Sequence, residues 1–176
     1  MQYNNSSRRS RGAKSKMSGL TRKLFTLAFI REGDNILLGY KKRGFGQGRW
    51  NGFGGKVESG ETPEEGAIRE MQEEAGVELV GGVDKVGELE FTFEGDPILM
   101  HVMVFSARGY TGTPTESEEM KPQWFSVDNL PYSQMWPDDR LWFPIYLRGG
   151  KFRGIFHFKG QDIILSQKLE EVQTFD

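Results

Sequence analysis

Apolar residues crowd the stretch from Leu24 to Ile30, where Leu24, Phe25, Leu27, Phe29 and Ile30 leave little room for a solvent-facing side. Such a run predicts a buried strand. Gly33-Asp34 follows as a turn signal, and Ile36 to Tyr40 predicts the return strand of a hairpin. A glycine-rich stretch from Gly44 to Gly60 interrupts the pattern. Beyond it, the period becomes helical over residues 62–75. Thr62 is a natural N-cap, Pro63 falls at the first helical position, Glu65 completes a capping box, and Gly76 is placed to end the helix.

The second half returns to strands. Leu89, Phe91 and Phe93 alternate with Glu88, Glu90, Thr92 and Glu94, the pattern of a half-buried strand. Gly95-Asp96 turns the chain into Ile98 to Phe105, and Gln123 to Val127 predicts another strand. Leu141 to Leu147 is apolar and reads as a helix, although Pro144 removes one of its donors. Phe152 to Phe158 and Ile163 to Leu169 flank a Lys159-Gly160 turn, which predicts a last hairpin. No internal repeat is present. The sum is an α+β fold with a mixed β-sheet and two main helices.

Composition narrows the chemistry. A chain of 176 residues suits one globular domain, placed here at residues 21–176. The absence of cysteine excludes disulfides and thiolate–zinc sites. No apolar run has the length of a membrane span, and no signal-peptide core stands near Met1. The expectation is a cytoplasmic protein without a membrane partner, with the nucleus or mitochondrion as further compartments. Residues 1–20, rich in Asn, Ser, Gly, Arg and Lys, read as a disordered basic tail. The tail is acid-poor, as mitochondrial presequences are, but it lacks their apolar helical stripe. Met17 offers an internal start that would delete it. Residues 1–23 hold seven Lys or Arg and no acid, leaving 16 basic and 25 acidic residues, a net of −9, in the remainder. An acidic body is a poor duplex-DNA binder, so no stable nucleic-acid binding is expected. It accepts a nucleotide when metal ions intervene.

The helix carries the candidate chemistry. At 100° per residue, Ala67, Ile68, Met71 and Ala75 form an apolar stripe, and Glu70, Glu73 and Glu74 share a different face. Their spacings of three and four make them surface neighbours that repel unless a cation offsets them. Arg69, four residues before Glu73 and four after Glu65, can brace part of the array. Hard oxygen donors without His or Cys suit Mg²⁺, with Mn²⁺ as a substitute. An isolated run of glutamates is more often a solvated helix face. Here the run sits in a longer pattern. Gly55, five residues, Glu61 and seven residues lead into Arg69-Glu70-Met71-Gln72-Glu73-Glu74-Ala75-Gly76-Val77. A chance match to its seven fixed residues has odds below about 1 in 10⁵.

That spacing is identified as the Nudix box. The resemblance implies the Nudix fold, its mixed sheet sandwiched by the two helices, and a Mg²⁺-dependent hydrolase of nucleoside diphosphate linkages. In such a box Gly54-Gly55 can let the backbone approach metal and phosphate, Glu61 can orient the loop or Arg69, and Glu70, Glu73 and Glu74 can hold metal. A nearby carboxylate should deprotonate the attacking water; Glu74 and Glu70 are the candidates, the alternative being that both are ligands only.

The flanks are more telling than the box. Lys41-Lys42-Arg43-Gly44-Phe45-Gly46 leads into Gly48-Arg49-Trp50-Asn51-Gly52-Phe53-Gly54-Gly55-Lys56-Val57. Glu116-Ser117-Glu118-Glu119-Met120, Met135-Trp136-Pro137-Asp138-Asp139 and Phe156-His157-Phe158-Lys159-Gly160-Gln161-Asp162 follow. Together they resemble the oxidised purine nucleoside triphosphate hydrolases, the animal MutT homologues, from about Leu24 to Val172. That family cleaves 8-oxo-dGTP and 2-hydroxy-dATP to monophosphate and pyrophosphate, and so sanitises the nucleotide pool. The resemblance implies a monomer. It implies that Asn51, Trp136, Asp138 and Asp139 bind the base, with Thr26, Lys41, Phe53, Gly54, Gly55, Lys56 and Pro137 also at the substrate. Glu119 and the Gly54 carbonyl should add metal contacts. His101 departs from the family, which often has an acid there.

Plainer readings stand beside these. Asp138 or Asp139 caps the second helix, Asn51 is a turn residue, and Lys41 is a solvated strand residue. Phe91, Phe93 and Trp142 are read as core, and Phe45 as either. Adjacent carboxyls in a partly dry pocket titrate as a pair and present more than one donor pattern. Other functions to separate are hydrolysis of ADP-ribose, a dinucleoside polyphosphate or an mRNA cap, and a binding module without catalysis.

Overall fold

The computed structural model describes residues 19–176. The expected basic tail, with Met17, lies outside the described residues except for Gly19 and Leu20. The strands are β1 (Thr21–Phe29), β2 (Arg31–Glu32), β3 (Asn35–Lys41), β4 (Trp50–Asn51), β5 (Glu78–Leu79), β6 (Val83–Phe93), β7 (Ile98–Ala107), β8 (Tyr110–Thr111), β9 (Met120–Ser126), β10 (Lys151–Lys159) and β11 (Ile163–Val172). The helices are α1 (Pro63–Ala75) and α2 (Asp139–Leu147), with a 3₁₀ turn at Tyr132–Gln134. None is long and apolar enough to cross a membrane.

The five-stranded sheet has the order β1-β7-β6-β10-β11 and is mixed: β1 runs parallel to β7, β6 parallel to β10, and the other pairs are antiparallel. A second sheet joins β2, β3, β4 and β9, and β5 pairs with β8. The expected first hairpin is therefore narrow. Arg31↔Ile36 and Glu32↔Asn35 pair across its turn, with one further bond from the Leu37 N–H to the Ile30 carbonyl at 3.0 Å. Before that turn, β1 pairs with β7 from Thr21↔Ile98 to Phe29↔Ser106. The reason lies in the run itself. Ala28, Phe29 and Ile30 are all buried, so both faces need cover that a two-stranded hairpin cannot provide.

That cover comes from both helices. Phe29, Ile36 and Leu38 belong to the core beneath α2, with Trp142, Phe143, Ile145, Tyr146 and Phe156. Ala28, Ile30 and Leu37 belong to the core beneath α1, with Ala67, Met71, Ala75, Phe53 and Phe105. Alternate residues of β1 and β3 thus face opposite helices.

The ends of α1 follow local chemistry. Thr62 Oγ1 accepts the Glu65 N–H at 3.1 Å. The return bond of a full capping box is not made. Gly76 takes the left-handed conformation (φ 69°) and its N–H donates to the Gln72 carbonyl at 3.0 Å. In α2 the sequence conflict is local against global. Pro144 sits inside the helix, and helix start moves back to Asp139. Burial of the aromatic face outweighs the lost bond: Trp142 stacks on Phe143 and Phe152 with centroids 4.5 and 4.9 Å apart.

Candidate active site

The glycine-rich segment lies against β1 as an irregular antiparallel strand. Ala28 and Phe53 exchange hydrogen bonds at 2.7 and 3.0 Å, and Thr26 N–H donates to the Gly55 carbonyl at 2.9 Å. A Cβ on Gly54 would lie 1.9 Å from the Thr26 carbonyl oxygen, inside the backbone of β1. A Cβ on Gly55 would lie 2.5 Å from Glu70 Oε1. These glycines therefore let one backbone touch β1 on one side and a carboxylate of α1 on the other.

Glu74 is 4% exposed and its Oε1 accepts the Gly54 N–H at 2.8 Å. Burial pushes its carboxyl from 4.5 up to about 8; the Gly54 N–H opposes this, and the charges of Glu70 and Glu119 add to it. Burial also raises Glu70. Arg69 braces the array. It grips Glu61 with two bonds, at 3.0 and 2.7 Å, and reaches Glu70 at 3.0 Å, Glu73 at 3.2 Å and the Lys56 carbonyl at 3.1 Å. The hydrogen bond from Arg69 holds the Glu61 carboxyl down to about 2. Glu61 also accepts the Glu58 N–H at 2.8 Å, so it ties the loop to α1. Glu65 is not among the partners of Arg69. On the far side, Glu119 takes Lys41 Nζ at 3.0 Å and Arg43 at 3.1 and 3.2 Å, and the Lys41 bond lowers its carboxyl.

Each carboxylate thus rests on a protein donor, and among the described residues no three acids or histidines form a ready cation cage. The donor set nonetheless fits a hard divalent cation. All side-chain donors are carboxylate oxygens, and the glycine corner beside Glu70 and Glu74 leaves room that a Cβ would fill.

Beside this corner opens a cavity of about 250 Å³. Thr26, Lys41, Asn51, Gly54, Gly55, Glu74, Trp136, Asp138 and Asp139 all line it. Phe53 does not: it is fully buried in the α1 core. Lys56 and Pro137 also stay off its wall, and Glu61, Arg69, Glu70, Glu73 and Glu119 stand outside it. Trp142 belongs to the α2 core and Phe91 and Phe93 pack against it, as expected, and all three also line the cavity. They share the wall with Leu89, Met100 and Val102, which the sequence does not mark as site residues. The signal was present in the alternation of β6, whose apolar face could cover a cavity as well as a core. Phe45, 53% exposed, lies at the same cavity and packs on Phe93 and Trp136.

Asp138 and Asp139 are 1% and 2% exposed. Asp138 occupies the N-cap position of α2 but makes no capping bond with its side chain. Its Oδ2 instead accepts Trp142 Nε1–H at 2.8 Å. Burial pushes Asp138 up to about 6, and burial together with the Asp138 charge pushes Asp139 well above the carboxylate range. Asp138 Oδ1, Asp139 Oδ2 and Thr26 Oγ1 are buried without any hydrogen-bond partner. Asn51 Oδ1 accepts the Gly52 N–H at 2.8 Å, which leaves its NH₂ as a donor. His101 and His157 are strand residues as expected, bonded to Glu88 at 2.6 Å and Thr92 at 2.7 Å.

A glycine corner packed on a glutamate-bearing helix, beside a cavity between strands, defines a hydrolase of the Nudix class. The chain belongs to that family: the NUDIX domain matches residues 21–145, from β1 into α2. Nudix hydrolases generally use divalent metal ions. The chain is 55% identical over 155 residues to the mouse (Mus musculus) oxidized purine nucleoside triphosphate hydrolase, covering 88% of this chain and 99% of that protein. It is 52% identical over 153 residues to the zebrafish (Danio rerio) protein of the same name, covering 87% and 97%. A MutT protein from Bacillus halodurans superposes with a TM-score of 0.74 at 27% identity, covering 84% of this chain and 97% of the other.

Proposed function

We propose that this Nudix hydrolase cleaves oxidised purine nucleoside triphosphates, such as 8-oxo-dGTP and 2-hydroxy-dATP, to the monophosphate and pyrophosphate. One observation carries the reading. The aromatic cavity ends on a buried carboxyl pair whose Asp138 Oδ1 and Asp139 Oδ2 lack partners. Buried polar atoms left unpaired are costly, and a purine edge with its own donors and acceptors would satisfy them. The high identity to the mouse and zebrafish enzymes supports the same substrate class.

Each residue then has a task. Trp136 offers the base an aromatic face, and the Asn51 NH₂ and Thr26 Oγ1 offer it polar contacts. A buried carboxyl pair whose burial favours the protonated form presents donors to one oxidised base and acceptors to another. Lys41 lies at both the cavity and Glu119, where its charge faces the phosphates. Glu70, Glu73, Glu74, Glu119 and the Gly54 carbonyl are the donors that would hold Mg²⁺, with Mn²⁺ as a substitute. When bound, the ion supplies positive charge to the triphosphate oxygens and the leaving pyrophosphate. Glu70 or Glu74, beside the glycine corner, takes the proton from the attacking water. Arg69, held by Glu61, keeps Glu70 aimed, and the Gly54 N–H holds Glu74.

The test replaces each carboxyl of the pair. Asp139→Asn and Asp138→Asn should raise KM for 8-oxo-dGTP by about tenfold or more, or shift the preference among oxidised bases. Mn²⁺ affinity, followed by its paramagnetic resonance signal, should stay the same. Wild-type KM and base preference in both variants would overturn the assignment of the pair.

A further inference from the structure

One wall of the base cavity has its support outside the cavity. Trp136 meets Phe45, Phe93 and Phe158 with ring centroids 5.1, 6.2 and 5.9 Å away. Its other neighbour is a cation, since the Arg49 guanidinium carbon lies 4.5 Å from the indole centroid. Arg49 does not line the cavity. Its side chain is only 16% exposed and is held twice more. Nη1–H donates to the Met135 carbonyl at 3.3 Å, and Nη2 pairs with the Asp162 carboxylate.

Three segments far apart in sequence meet at this guanidinium. Arg49 precedes β4, Met135 and Trp136 lead into α2, and Asp162 stands between β10 and β11. Trp136 in turn is tied to the carboxyl pair, because its carbonyl accepts the Asp139 N–H at 3.0 Å. We propose that Arg49, aimed by Asp162, is a positioning residue for substrate: it clamps Trp136 and so sets the aromatic wall and the entry of the Asp138-Asp139 segment. This rests on the substrate reading above.

The chemistry suits the task. A planar guanidinium covers an aromatic face while its remaining N–H groups bind oxygen in fixed directions, which a lysine ammonium cannot do. Asp162 is 86% exposed, so the ion pair adds little to stability. Its contribution is to fix the plane of the guanidinium. The consequence should appear in substrate binding more than in the rate at saturation.

The experiment is a double-mutant cycle on the full chain with Mg²⁺, using Arg49→Met, Trp136→Phe and both together. Arg49→Met should raise KM for 8-oxo-dGTP about tenfold, as expected for a partly desolvated cation–π contact, and change kcat by less than about twofold. In the Trp136→Phe background, most of that rise should vanish, because the effect passes through the indole. Arg49→Lys should restore less than half of the loss. Asp162→Asn, on an exposed turn, should raise KM about two- to threefold and serves as the second arm of the cycle if Arg49→Met fails to fold. Additive KM effects in the two backgrounds would overturn the proposal, as would a fall in kcat at constant KM. A chain that prefers dGTP would instead overturn the substrate reading. The cycle, run with whichever purine triphosphate is cleaved, would still decide the role of Arg49.

Discussion

Glu74 meets two opposed demands. It belongs to a set of glutamates that must offer charge, yet only 4% of its surface reaches solvent. A single N–H, from Gly54, supports it, and burial leaves the carboxyl at about 8 instead of 4.5. Its spacing from Glu70 was legible in the sequence, but its burial was not. Helical projection puts it on the polar face, and only the non-local packing of the glycine corner on α1 covers that face. Glu74→Gln keeps an oxygen for the Gly54 N–H and should fold normally. Turnover should fall by about 10² or more. The sign of its pH effect follows from the raised value. A carboxyl held above its unfolded value favours the folded state only while protonated, so in chelating buffer the wild type loses stability as pH rises from 4.5 through about 8. The Gln variant has no such group. Its Tm should gain on that of the wild type across this window and level off above it. A fully active variant, or a Tm difference independent of pH, would contradict the assignment.

At the scale of elements, two adjacent glycines separate stability from chemistry. Gly54 faces the β1 backbone, where a Cβ would meet the Thr26 carbonyl carbon and oxygen at 2.6 and 1.9 Å. Gly54→Ala must part the loop from β1 and should cost roughly 3 kcal/mol, read from the denaturation midpoint. Gly55 faces the end of the Glu70 side chain, which can swing away. Gly55→Ala should lose activity with a smaller loss of stability. The reverse order would mean that the corner is built differently. The ends of α1 were readable because capping is local, as Thr62 and Gly76 illustrate. The first hairpin was over-read because pairing is not local: β1 takes β7 as its neighbour, far along the chain. α2 begins at Asp139, two residues before the apolar stretch that marks it in the sequence, with Asp138 at the cap position that one reading of the pair gives it.

In the whole molecule, two helices cover opposite faces of β1 and β3, and the cavity opens where β6 and β7 leave their apolar face unfilled. The glutamate side was legible as a dense string at fixed spacing. The cavity side was legible only through resemblance, for Trp136, Asp138, Asp139, Asn51 and Thr26, and not at all for Leu89, Met100 and Val102. No local pattern distinguishes an apolar residue facing a cavity from one facing a core. Phe53, placed among substrate residues, shows the converse, since its ring turns into the α1 core while its neighbours Gly54 and Gly55 form the wall.

The most direct test of the central claim is kcat/KM for 8-oxo-dGTP, 2-hydroxy-dATP, dGTP and ADP-ribose, measured with Mg²⁺ on the intact chain. An oxidised purine should exceed dGTP by about tenfold or more, because unpaired carboxyl oxygens reward the base that satisfies them, and ADP-ribose should be poor. Equal values for oxidised and ordinary purines, or a preference for ADP-ribose, would leave the Nudix chemistry in place and contradict the reading of the cavity as an oxidised-base site.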